Sequence, residues 1–155
     1  MSRKYFLLLV SALLMTTSHV YAEEDSRTPV EEFRYITKWS LTLCQAKAKS
    51  SFHKVEMAEF TGRPFTYQEA DLEISACLKE ERAEVKKLFP KALAQVAKKP
   101  AAAKLLKEYY AVWLTALDDI PLGASELMTA YYKRQNEASR IATDAWYRFE
   151  IEADN

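Results

Sequence analysis

Glycine is nearly missing from this chain, with only Gly62 and Gly123 in 155 residues. Two isolated glycines cannot form a phosphate-cradling loop, which needs several within a few positions, so the common nucleotide-binding architectures are excluded. Histidine is as scarce, and of His19 and His53 only the second lies beyond the N-terminal segment considered below. One histidine cannot furnish the paired Glu-x-x-His sites of di-iron bundles or the His-x-x-x-His of zinc proteases. A Ser, His and Asp triad would have to be built on His53, which falls on or beside the expected core face of its helix. The two cysteines, Cys44 and Cys77, are too far apart for a Cys-x-x-Cys redox motif, and no Cys-x-x-Cys-His run attaches haem. There is no excess of either charge sign, with 22 basic and 22 acidic residues. The sequence indicates no enzyme class and no cofactor.

What is present begins at the N-terminus. Arg3 and Lys4 precede an apolar stretch, Tyr5 to Val10 and then Ala12 to Met15. That order is a charged n-region followed by an h-region. The stretch is shorter than the roughly 20 residues a helix needs to cross about 30 Å of hydrocarbon, and Thr16, Thr17 and Ser18 follow it at once. Val20, Tyr21 and Ala22 give the small-residue spacing of a signal-peptidase site, with Glu23, Glu24 and Asp25 just beyond. The expectation is a signal peptide over residues 1–22, cleavage after Ala22, and one helical domain over 23–155 in the periplasm or secreted, with no stable membrane insertion. Loss of Arg3 and Lys4 leaves 20 basic against 22 acidic residues, so overall charge selects no partner.

The five prolines and two glycines fall where hydrophobic periodicity breaks, which is where such residues are tolerated. A capping box, Thr28 to Glu31 with Pro29 at the first helical position, opens a first helix. In it Ile36, Trp39, Leu43, Ala46, Ser50, His53, Met57 and Phe60 recur at steps of three and four, the pattern of a buried stripe. A second box, Thr66 to Glu69, opens a helix whose stripe is Ala70, Ile74, Cys77, Val85 and Leu88. Pro90 and Pro100 bracket a short Ala-rich helix over 91–98. Leu106, Tyr109, Trp113, Ala116 and Ile120 mark the next helix, stopped by Pro121 and Gly123. The last, about 124–151, carries Met128, Tyr131, Gln135, Ala138, Ala142, Ala145 and Phe149. The fold expected is all-α, an antiparallel helical bundle of four main helices and one short helix.

In an oxidising compartment an even pair of cysteines reads as one disulfide, Cys44 to Cys77, contributing roughly 3 to 4 kcal/mol in the chain-entropy model. The helix register resists it. Cys44 lies 16 residues before Phe60 and Cys77 about 10 residues into the second helix, so with straight helices their levels differ by about 9 Å, too far for a bridge. Either the first helix ends near Ser50 or Ser51, or it kinks, or the connection folds back.

Two features point to an interaction surface. Lys86, Lys87, Lys91, Lys98, Lys99, Lys104 and Lys107 fall between Glu84 and Glu108 with no acidic residue among them, which is either an ordinary solvated face or a field for an anionic partner. Nucleic acid is not that partner, because lysine without arginine reads bases poorly and an exported protein does not meet it. Adjacent aromatics cannot all share one narrow buried face, so Tyr110, Tyr132 and Tyr147 are the interface candidates, while Trp113, Trp146 and Phe149 are expected in the core. The carboxylate clusters, such as Asp118 with Asp119 and Glu80, Glu81 and Glu84, read as solvated helix surface. The acidic end of the last helix opposes the helix dipole and should fray unless a basic partner holds it.

Within the first helix, Tyr35, Trp39, Ser40, Leu41, Thr42 and Cys44 resemble the aromatic, small, leucine, hydroxyl and cysteine run near the start of type VI secretion amidase-immunity proteins. The resemblance covers about ten residues and implies an exported helical inhibitor of a peptidoglycan-cleaving effector, often a dimer. It carries no inhibitory residue over to this chain. The functional expectation is a protein-binding module acting by surface complementarity. The alternatives are an envelope-associated structural or chaperone-like protein, and a small-molecule or haem-binding bundle using His53 with Met57 or Met128.

Overall fold

A computed structural model of the chain describes residues 27–62, 64–122 and 126–154. The signal peptide expected over residues 1–22, with its cleavage after Ala22, falls outside the described residues. Among the described residues four helices are formed, α1 Pro29–Thr61, α2 Tyr67–Gln95, α3 Pro100–Asp118 and α4 Met128–Asp154, and no strand occurs. None of these helices is long and apolar enough to cross a membrane.

Both capping boxes close as the sequence predicts. The Thr28 hydroxyl accepts from Glu31 N while Glu31 accepts from Thr28 N at 2.7 Å, and Thr66 and Glu69 repeat the exchange. Each pair satisfies two amide groups that a helix start leaves without partners. Gly62 ends α1 in the left-handed conformation at φ 66°, its N–H donating to Ala58 O, a backbone state that only glycine adopts without a Cβ penalty.

The separate short helix expected over 91–98 is not formed. Instead α2 continues through Pro90 to Gln95, and a turn at 96–98 leads to α3. Proline inside a helix removes one amide donor and crowds the carbonyl four residues earlier. Here one apolar face runs unbroken past it, with Val85, Leu88, Ala92 and Val96 all buried, and that packing outweighs the local cost.

Successive contacts set the register of α1 against α2. Val30 N donates to Gln95 Oε1 at 3.0 Å, Ser40 hydrogen-bonds Glu81, Cys44 joins Cys77 with Cα atoms 5.8 Å apart, and Ser51 donates to Glu73 at 2.6 Å. The disulfide therefore forms although α1 is continuous to Thr61. Of the three ways out of the register problem, the connection folds back. The last two turns of α1 project about 10 Å beyond the start of α2, and Pro64 and Phe65 lie back along them, with Lys54 Nζ 5.1 Å from the Phe65 ring centroid. Met57, Ala58, Thr61, Pro64 and Phe65 line the open groove this leaves.

Across the other helices, Phe89 of α2 stacks on Tyr110 of α3 at 4.3 Å, and Phe33 of α1 meets Tyr109 edge-on at 5.9 Å. At the far end of α3, Arg134 donates to the carbonyls of Asp119 and Pro121 and pairs with Glu126, tying those three residues to α4. The acidic end of α4 is helical to Asp154. Lys99 donates to Ala153 O, so the basic group that the end of the helix requires comes from the α2–α3 turn of the same chain.

The expected stripes of α2, α3 and α4 are the buried ones, Met128 excepted as only half-buried. That of α1 is not. Its buried face is Phe33, Thr37, Ser40, Leu41, Cys44, Ala48, Ser51, Phe52 and Val55, turned by about 155° at 3.6 residues per turn from the stripe the sequence suggested. His53, expected at the core, is exposed and sits 3.8 Å from Glu56. The buried face of α1 looks polar in sequence because it carries three hydroxyls. Each is satisfied: Thr37 by Tyr109 Oη at 2.6 Å, Ser40 by Glu81, Ser51 by Glu73, which removes the penalty that buried hydroxyls otherwise impose.

Candidate protein-binding surface

Because α1 buries the other face, several large apolar residues of the expected stripe and beside it are left outside. Tyr35 is 47% exposed, Trp39 56%, Leu43 39% and Phe60 85%. Tyr35, Trp39 and Leu43 follow one another at steps of four, so their side chains form one row on the solvent side of the helix. Arg27 lies over the Tyr35 ring at 3.7 Å, and Lys38, Lys47 and Lys49 are exposed along the flanks of the row. A row of aromatic and aliphatic side chains edged by charge is the make-up of a binding patch, with apolar anchors at the centre and a polar rim. Sequence reasoning named none of these three residues as a site, because it placed Trp39 and Leu43 in the core.

The lysines of the middle segment are spread over α2, the turn and α3. Lys91, Lys98, Lys99, Lys104 and Lys107 belong to the end of the α2–α3 hairpin that carries the turn, with Lys86 and Lys87 further back on α2. Several already have partners. Lys87 pairs with Glu84 at 3.1 Å, Lys104 lies 3.9 Å from Glu108, and Lys99 is committed to Ala153 O. That last contact brings Glu150, Glu152 and Asp154 of α4 to the same end of the molecule, so the positive field there is partly offset.

The three tyrosines separate. Tyr132 is 40% exposed with Lys49 Nζ 5.1 Å from its ring, and Tyr147 is more exposed still. Tyr110 is half-buried, stacked on Phe89 and within 6.0 Å of both Phe33 and Trp113, and burial raises its hydroxyl pKa. Its ring is spent on packing.

For chemistry the arrangement offers little. No group of three or more His, Cys, Asp or Glu side chains able to hold a metal occurs among the described residues. His53 and Met57, considered as haem ligands, both point outward from α1. The titration shifts here are structural. Burial pushes the Tyr131 hydroxyl up to about 12. Hydrogen bonds from Thr28 hold Glu31 below the usual carboxylate range, and bonds from Ser51 and Lys54 do the same for Glu73.

This surface has no counterpart to borrow from. Neither protein-family models, curated proteins nor solved structures give a match to this chain. The row on α1 therefore rests on its own geometry.

Proposed function

We propose that this chain is an exported, antiparallel helical protein-binding module that recognises a protein partner through the outward face of α1 and works by surface complementarity, as an inhibitor or immunity protein does. The observation that carries the reading is the exposed row Tyr35, Trp39 and Leu43 on a helix whose opposite face is fully packed. Aromatic side chains on a rigid helix bury much area at small entropic cost, which is why tryptophan and tyrosine dominate binding energy at protein interfaces. The helix beneath them is held at both ends and bridged at Cys44, so the row is ordered before any partner arrives.

The run that resembles the amidase-immunity proteins is divided by the helix. Tyr35, Trp39 and Thr42 are exposed, whereas Ser40, Leu41 and Cys44 are buried. The exposed half is available to a partner and the buried half shapes the fold. The lysine-bearing end of the α2–α3 hairpin supports a second reading, a general adhesive surface for anionic envelope components.

Affinity capture with the chain and two variants tests both. The expected result is one dominant partner, retained at moderate salt, lost on Trp39→Asp with Leu43→Asp, and kept when Lys98, Lys99, Lys104 and Lys107 become Glu. Many weak partners that vanish with salt, and that depend on the lysines alone, would replace the inhibitor reading with the adhesive one.

A further inference from the structure

A cleft of about 160 Å³ opens between α1 and α4, floored by Tyr109 and Trp113 of α3. It exists because the facing residues are small, Thr42 on α1 and Ser139, Ala142 and Thr143 on α4. Arg34 stands at one end and Gln45, three turns along α1, at the other. No acidic side chain lines it, and Arg34 makes no ion pair among the described residues.

Arg34 is held rather than neutralised. Its Cζ lies 4.9 Å from the Trp146 ring centroid and 5.7 Å from that of Tyr109, and Nη1 donates to Tyr109 Oη at 3.1 Å. The hydrogen-bond chain then closes on itself. Arginine is donor only, so Tyr109 Oη accepts from it and passes its own proton to Thr37 Oγ1 at 2.6 Å, and Thr37 donates to Arg34 O at 3.0 Å. One of the five guanidinium N–H groups is thereby spent and the planar fork is fixed over aromatic faces. At the other end, Gln45 Nε2 donates to Gln135 Oε1 at 3.1 Å and to Ser139 Oγ at 3.0 Å. Ser139 accepts there and keeps its own hydroxyl proton to donate.

We propose that this cleft is a carboxylate-binding site, with Arg34 as the bidentate anchor, Lys38 at the rim and the Ser139 hydroxyl as a donor to the rest of the bound molecule. A single ordered guanidinium matches a planar monoanion, and the volume equals about five waters at roughly 30 Å³ each, room for a small acid or one acidic side chain. The inference stands independently of the α1 row being an interface. The carboxylate comes from a free small acid or from an acidic residue of a polypeptide, and both present the same group to Arg34.

An NMR titration of the full chain decides it, following the arginine Nε–H and tryptophan indole signals. The probes are acetate, N-acetylglycine, an end-blocked Ala-Glu-Ala peptide and inorganic phosphate. Saturable shifts at Arg34 and Trp146 with the carboxylates are expected, weakened about ten-fold by Arg34→Lys, which keeps the charge but loses the fork. Ser139→Ala should weaken N-acetylglycine or the peptide while leaving acetate unchanged, and whichever of the two binds more tightly identifies the source. Spectra of Arg34→Lys unchanged away from the cleft show that it folds. The proposal is overturned if no carboxylate gives a saturable shift, if Arg34→Lys binds as well as the native chain, or if phosphate binds more tightly than every carboxylate.

Discussion

Leu41 and Leu43 are two residues apart on α1, and deleting the same atoms from each should have different consequences. Leu41 is 8% exposed and Leu43 39%, and at 3.6 residues per turn they point about 160° apart. Leu41→Ala removes buried methyl groups and leaves a cavity, for which about 2 to 4 kcal/mol is expected. Leu43→Ala removes atoms already largely in water, and should cost about 1 kcal/mol or less. Urea unfolding followed by far-UV circular dichroism, with the disulfide kept oxidised, measures both from the shift in midpoint at constant slope. Phe33→Ala and Trp39→Ala extend the comparison to aromatics. Phe33 is fully buried and meets the rings of Phe89, Tyr109 and Tyr110 at 5.7, 5.9 and 6.0 Å, and its loss should cost about 3 to 5 kcal/mol. If Leu43→Ala and Trp39→Ala prove the more damaging members of their pairs, α1 is turned the other way and the outward row does not exist.

Reduction of the Cys44–Cys77 bond, which spans 33 residues, should lower stability by about 3 to 4 kcal/mol in the chain-entropy model, read from urea midpoints with and without reductant. Pro90→Ala should stabilise by about 1 to 3 kcal/mol because α2 is continuous through that position; a loss of stability would instead mean that the helix restarts there. Lys99→Ala should speed amide exchange over residues 150–154 by removing the contact to Ala153 O, leaving α1 unaffected. Glu73 has its folded pKa depressed by Ser51 and Lys54. It therefore contributes stability above the ordinary carboxylate value of about 4.5, lost as pH falls through the lower folded value. Glu73→Gln should flatten the acid limb of a stability profile, and an unchanged limb would remove Glu73 from the account.

Much of the fold was legible in the residues because local and long-range signals agreed. In α3 the stripe Leu106, Tyr109, Trp113 and Ala116, continued by Ile120 just past the helix, is the buried one, and all five are buried. In α1 two stripes compete, and counting large apolar residues selects the exposed one. The signal that resolves them was also present. A bridged Cys44 must face α2, and the residues sharing its face are those three, four, seven, eight and eleven positions away, which include Phe33, Thr37, Ser40, Leu41, Ala48, Ser51, Phe52 and Val55. Those are the ones buried. The continuation of α2 through Pro90 was not readable locally, since proline reports a cost and only packing shows what exceeds it. The Arg34 cleft was invisible for a related reason, because its lining comes from three helices and depends on small residues at facing levels of α1 and α4.

A helix with two opposed apolar faces has two ways of lying on the rest of the chain. Burial alone separates them weakly, since either choice takes large side chains from water. The Cys44–Cys77 bond makes the choice discrete. It forms when α1 is rolled with Cys44 toward α2, and a chain collapsed on the Trp39 side keeps both thiols out of each other's reach. Oxidation is therefore expected to select the rotation of α1 that brings Cys44 to Cys77. A molecule rolled the other way could not close the bond, so under oxidising conditions a pair of thiols that stays free would mark it.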